Sequence, residues 1–121
     1  MKVKISTKEK MHVVTVEEKK ITAIMTEELE TLLLDFLTQP VKNVIVNFQE
    51  VEEIDMKAAE LLAMIQQQFY EQNYSMVFCN FNPKITEFLD KNELLEILNV
   101  TPTESEAWDI VQMEEIEREY L

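Results

Sequence analysis

The residues of this chain that could do chemistry are few and scattered. There is one histidine, His12, and one cysteine, Cys79. A thiol attacks as its thiolate, so a reactive cysteine needs basic neighbours. The run Met76–Val77–Phe78–Cys79 offers none and reads as a buried strand in which Cys79 packs as a small hydrophobe. A structural zinc site takes four Cys or His ligands at recurring spacings, and one of each, far apart, does not make one. Glu50, Glu52, Glu53 and Asp55 crowd carboxylates into one short segment. A calcium loop needs a D-x-[DN]-x-[DN]-G run with glycine at its sharp turn, and the chain has no glycine. A solvated acidic loop is the better reading. Without glycine there is also no phosphate-cradling loop of the P-loop or Rossmann kind. Trp108 reads as helix packing, and no Ser–His–Asp grouping is present. The chain is expected to be no enzyme, with no cofactor and no metal.

What remains is a join between a strand and a helix. Val44 to Phe48 is a β-branched run that reads as a buried strand. The acidic loop follows, and a helical pattern opens at Asp55, whose carboxylate can cap the first free N–H groups. Helix N-termini attract anions, so such a join with polar residues at its tip is a natural binding or regulatory site. Lys57 stands in the first turn, where a cation is unfavourable by roughly 0.3–1 kcal/mol. Glu60, three residues on, can offset part of that.

The rest of the chain must position this join. Val3 and Ile5 alternate with lysines in a half-exposed strand, and Met11 to Val16 pairs with it across the turn near Lys8–Glu9–Lys10. Ile21 to Met25 reads as extended, and Thr26 as the cap of a helix with Leu29, Leu32, Leu33, Phe36 and Leu37 on one face, stopped before Pro40. After the central strand, the Asp55 helix turns Leu61, Leu62, Ile65 and Phe69 inward. Ser75 to Phe81 is another buried strand, and Pro83 opens a short helix with Ile85, Phe88 and Leu89 on one face. Leu94 to Val100 reads as a turn and a last short strand. Thr103 and Glu106 form a capping box for a final helix that turns Ala107, Ile110 and Val111 inward. Asn73 and Asn92 follow helical patterns where a left-handed cap is expected, asparagine being the next best residue to glycine there.

The order β-β-α-β-α-β-α-β-α predicts an α/β domain over residues 1–121. It is a small mixed sheet, parallel through right-handed crossovers, with about four helices on one face and the first hairpin at an edge. The expected core is Leu29, Leu33, Phe36, Val44, Val46, Leu62, Ile65, Val77, Cys79, Phe88 and Leu89. A length of 121 residues suits one core, and 46% hydrophobic residues argues against disorder. No run approaches the roughly 18 apolar residues of a membrane span, and Met1–Ser6 lacks the apolar block of a signal peptide. A lone cysteine fits a reducing, cytoplasmic setting. The formal charge of −13 argues against nucleic acid. The charge is uneven, since Thr103 to Leu121 set Arg118 alone against seven acids. An acidic body steers towards basic partners, although solubility is its commonest meaning.

The join resembles that of the STAS domain of bacterial anti-sigma factor antagonists. In that family Asp-Ser-Ser-Gly opens the helix; here the four positions read Asp55, Met56, Lys57 and Ala58. The strand before Asp55, the Leu-rich helix after it, the Asn80–Phe81–Asn82–Pro83–Lys84 turn and the Thr103–Glu104–Ser105–Glu106–Ala107 ending occur in the family's order, from about Val13 to about Val111. The resemblance implies a protein-binding module that engages an anti-sigma factor and so regulates sigma factor-dependent transcription. It puts Lys57 at the phosphoacceptor position, with no hydroxyl for a serine kinase. It also implies a partner face made of Thr22, Ala23, Thr26, Asp55, Met56, Lys57, Ala58, Glu60, Asn80, Asn82 and Lys84. Asp55 serves such a face by shaping its loop, or acts as a cap alone, or does both. A solvated lysine is the preferred reading of Lys57 over an ion pair with the partner, given the weakness of exposed pairs. The runner-up is an accessory subunit of a lipid-transporting ABC system, or a scaffold component. The oligomeric state, self-association included, is left open. A receiver domain is disfavoured, because a second strand and not a helix follows Ser6–Thr7–Lys8 and no acidic pair ends the first strand.

Overall fold

A computed structural model describes residues 1–120. The chain opens with β1 (Val3–Thr7), β2 (Met11–Val16) and the two-residue β3 (Lys20–Ile21). A 3-10 turn, Ala23–Met25, leads into α1 (Thr26–Asp35). Next come β4 (Asn43–Asn47), the short β5 (Glu53–Ile54), α2 (Met56–Glu71), β6 (Met76–Cys79), α3 (Pro83–Lys91), β7 (Val100–Thr101) and α4 (Glu104–Glu119). Five strands form the main sheet in the order β1-β2-β4-β6-β7. β1 lies at the edge, antiparallel to β2, and the remaining pairs are parallel. A separate two-stranded parallel ribbon joins β3 to β5.

The core has two compartments. On one face of the sheet Val14, Val44, Val46 and Phe78 pack with Leu29, Leu33, Leu62, Ile65 and Leu89 of α1, α2 and α3. On the other face Met11, Val13, Ile45, Val77 and Cys79 pack with Ala107 and Val111 of α4. The expectation of helices on a single face is therefore corrected: α4 covers the second. β4 and β6 are buried at every residue, as strands covered on both sides must be. Ten of the eleven expected core residues are buried, but Phe88 is only half-buried at the rim.

Other local expectations change for physical reasons. Ile21 to Met25 is not extended throughout, since Ala23–Met25 coils into the 3-10 turn. Thr26 is not a cap accepting from the helix; its hydroxyl donates to the Ala23 carbonyl (2.7 Å) and closes that turn. Asn73 does adopt the left-handed conformation (φ 65°), but Asn92 does not (φ −100°). The Asn92 side chain donates to the Phe88 carbonyl instead, and Glu93 one residue later takes the positive φ of 59°. Asn80 supplies a third such position, with φ 61°. Only half of the expected capping box forms. The Thr103 hydroxyl accepts from the Glu106 N–H (3.2 Å), while the Glu106 carboxylate faces the Thr103 hydroxyl and not its backbone.

Candidate functional site

The site is built around Asp55. Its backbone is extended (φ −91°, ψ 172°), as an N-cap residue requires, and its Oδ1 accepts from the Ala58 N–H at 2.9 Å. Its Oδ2 accepts from the Ala23 N–H at 2.7 Å, and its own N–H donates to the Ile21 carbonyl at 3.1 Å. One carboxylate therefore ties the 3-10 turn to the start of α2, more than 30 residues away in sequence. The β3–β5 ribbon continues the tie, pairing Lys20 with Glu53 and Ile21 with Ile54.

The third segment of the site is held by Asn82. Its Oδ1 accepts from the Ile85 N–H (2.7 Å) and caps α3, while its Nδ2 donates to the carbonyls of Val51 (3.3 Å) and Glu52 (3.1 Å). Beside it the Lys84 ammonium meets the Glu53 carboxylate, which also faces Lys20 at 3.4 Å. The hydrogen bond from Lys84, then that from Lys20, holds the Glu53 carboxyl below its ordinary pKa. A shallow cleft of about 190 Å³ lies between Glu53, Ile54 and the Lys84–Phe88 side of α3. The acidic loop is thus partly neutralised by this chain's own lysines.

Against this fixed backbone, several side chains project outward. Ile24 at the tip of the 3-10 turn is 93% exposed, an uncommon position for an isoleucine. Met56 is 38% exposed, and Lys57 and Glu60 are exposed. Among the described residues Lys57 forms no ion pair, with Glu60 or otherwise. The structure brings Thr22, Ala23, Thr26, Asp55, Met56, Lys57, Glu60, Asn82 and Lys84 around one end of the sheet. Ala58, by contrast, is fully buried and presents no side-chain surface to a partner. Asn80 turns inward, its Nδ2 donating to Asn47 Oδ1 at 3.1 Å. Ile24 lies within the Thr22–Thr26 stretch expected at the partner face, but reading that stretch as extended hid the turn that throws its side chain out.

The site offers no catalytic grouping. Burial pushes the Cys79 thiol up to about 12, so the thiolate is scarce at neutral pH. His12 is buried on β2, stacked on Phe36, with its ring nitrogens facing Thr7 Oγ1 (2.9 Å) and the Val41 carbonyl (2.7 Å). Trp108 packs against the α4 side of the core. Among the described residues no three His, Cys, Asp or Glu side chains converge as a metal requires, and no helix is long and apolar enough to cross a membrane. What the arrangement can do is present a rigid, mixed apolar and charged surface to another macromolecule.

Known structures share this architecture. An anti-sigma-factor antagonist (STAS) domain protein from Planctomyces limnophilus superposes with a TM-score of 0.78 at 17% identity, over 91% of this chain and 97% of that one. An anti-sigma factor antagonist from Mycobacterium paratuberculosis gives 0.76 at 16% identity, over 92% and 93%. The murine anion transporter Slc26a9 gives 0.72 at 13% identity, over 85% of this chain but only 18% of the transporter. No curated protein matches in sequence. The family model for the STAS domain matches residues 2–107, which take in the whole Asp55 site, and the chain belongs to the STAS domain family.

Proposed function

We propose that this chain is a non-catalytic regulatory module of the bacterial cytoplasm, an anti-sigma factor antagonist that binds an anti-sigma factor and so acts on sigma factor-dependent transcription. The observation that carries the reading is the exposed row Ile24, Met56, Lys57 and Glu60 on a backbone locked by Asp55. A pre-organised surface loses little freedom on docking, and an apolar anchor beside charges is the usual make-up of a protein-binding patch. The docking surface comprises the Thr22–Thr26 turn, the exposed residues from Asp55 to Glu60, and Asn82 to Lys84. Ala58 and Asn80 act within it as structural supports.

The second part of the proposal concerns control. Lys57 stands where switching members of the family carry the acceptor serine, and no serine or threonine occurs from Glu50 to Gln72. A phosphate at a helix N-terminus adds a charge of about −2 where it matters most. With no acceptor there, binding responds to protein level or to competition, not to a kinase.

Affinity capture from the native cell with the intact chain, followed by mass spectrometry, tests the function. Recovery of a kinase-like anti-sigma factor, lost when Ile24 is replaced by Asp, is the expected result. Recovery of an ABC transporter subunit in its place would overturn the reading in favour of the accessory-subunit alternative.

A further inference from the structure

The outward side of α4 carries a row that the core does not use. Met113, Ile116 and Tyr120 are 54%, 55% and 84% exposed. Their spacing places them on one side of the helix, opposite the buried Ala107 and Val111. Asp109 continues the row, and Glu106, Glu117 and Glu119 border it. Among the described residues none of these four acids forms an ion pair; the one basic residue of the helix, Arg118, lies on the inner side against Glu114 and Glu115. Next to the row a groove of about 580 Å³ runs between Trp108, Ile116 and the Lys8–Lys10 turn, floored by Met11. This surface lies across the sheet from α1, α2 and α3.

We propose that the outer face of α4 is a second docking surface, and that its occupant is a basic amphipathic helix of another protein. The partner's apolar side covers Met113, Ile116 and Tyr120, and its lysines or arginines meet Glu106, Asp109, Glu117 and Glu119. A large side chain of that helix fills the groove beside Trp108. Charge selects this occupant over a second copy of the chain, because pairing α4 with itself would set unpaired acids against unpaired acids. The inference rests on α4 and the turn beside it and is independent of the Asp55 surface, so the chain could hold two proteins at once.

Three synthetic helices test it against the full chain by calorimetry and by methyl NMR at Met113. The first has leucines along one side flanked by lysines, the second has the same composition scrambled, and the third has the lysines changed to glutamates. The first should bind with shifts at Met113 and Ile116, and more weakly as salt rises. Ile116→Glu, an exposed change that spares the fold, should weaken it by about tenfold or more. Equal binding of the scrambled helix, shifts confined to the Asp55 side, no effect of Ile116→Glu, or absence of binding would each overturn the proposal. So would self-association of the free chain through α4, seen by sedimentation and abolished by the same substitution.

Discussion

At the carboxyl ends of the parallel strands, Asp55 and Asn82 turn their polar atoms onto backbone groups of neighbouring segments. At the amino ends the polar side chains also turn onto one another, although Asn43 still accepts from the Ser75 N–H (2.8 Å) and donates to the Lys10 carbonyl (3.1 Å). The Glu114 carboxylate accepts from the Tyr70 hydroxyl (2.8 Å) and the Ser75 hydroxyl (2.6 Å), and Asn99 donates to Tyr70 (2.7 Å). Arg118 donates to Ser75 (2.8 Å), and Asn43 donates to Glu115 (2.5 Å). Burial, with the carboxylate nearby, pushes the Tyr70 phenol above its ordinary pKa. This second cluster lashes the inner side of α4 to the sheet. The first fixes three loops and leaves Ile24, Met56, Lys57 and Glu60 free. The docking site proposed at the first cluster thus rests on what that cluster leaves unused, not on the residues it gathers.

The comparison breaks first at its stability scale. Leu33 is fully buried between α1 and the sheet, so Leu33→Ala should cost about 2–5 kcal/mol in urea unfolding; a loss under half of one kcal/mol would remove it from the core. Glu114→Ala should come next, at about 2–3 kcal/mol, because the Tyr70 and Ser75 hydroxyls lose their shared acceptor and Arg118 one of its two carboxylates. An unchanged midpoint would mean that the amino-end cluster is not a clamp.

Asp55→Ala removes a cap and the tie to Ala23 together, and about 1–2 kcal/mol should be lost. The more telling readout is amide exchange. Protection should fall at Ala23 and Ala58 while the amino-end cluster keeps its own. Uniform loss across the sheet would show that the two ends are not separable.

Much of this was legible in sequence because it is local. Periodicity located the four α-helices, the continuous apolar runs in β4 and β6 located the central strands, and Asp55 and Asn82 stand at helix starts. The same runs also carried the signal for a sheet covered on both sides, since one-sided strands alternate. The β3–β5 ribbon was not legible: two residues on each side are too few for any period, and the pairing spans the whole of α1. The shift of the left-handed cap from Asn92 to Glu93 follows from a helix that ends one residue later than its composition suggests. That shift gives a smaller effect of opposite sign. Glu93→Gly relieves a side chain held at φ 59° and should stabilise by about 0.5–1 kcal/mol. Asn92→Gly, at an ordinary φ, should not stabilise.

The smallest effect on stability belongs to the residue of most regulatory interest. Lys57 is exposed and unpaired among the described residues, so Lys57→Ser should move the unfolding free energy by less than about 0.5 kcal/mol. Its effect should lie in regulation alone. Incubated with ATP and the kinase-like anti-sigma factor that the proposal expects as its partner, the natural chain should stay unmodified and bound. The variant places a hydroxyl in the first turn of α2, where a phosphate would meet the free N–H groups and add charge in the middle of the docking row. Phosphate on the variant with release of the partner, and none on the natural chain, is the expected pair of results by mass spectrometry and gel filtration. Stoichiometric phosphate anywhere on α2 of the natural chain, together with partner release, would sink the proposal that this site has no switch. Release from the variant without phosphate would instead make the Lys57 ammonium a direct contact. The carboxyl-end row would then owe part of its affinity to a charge that the fold itself does not use.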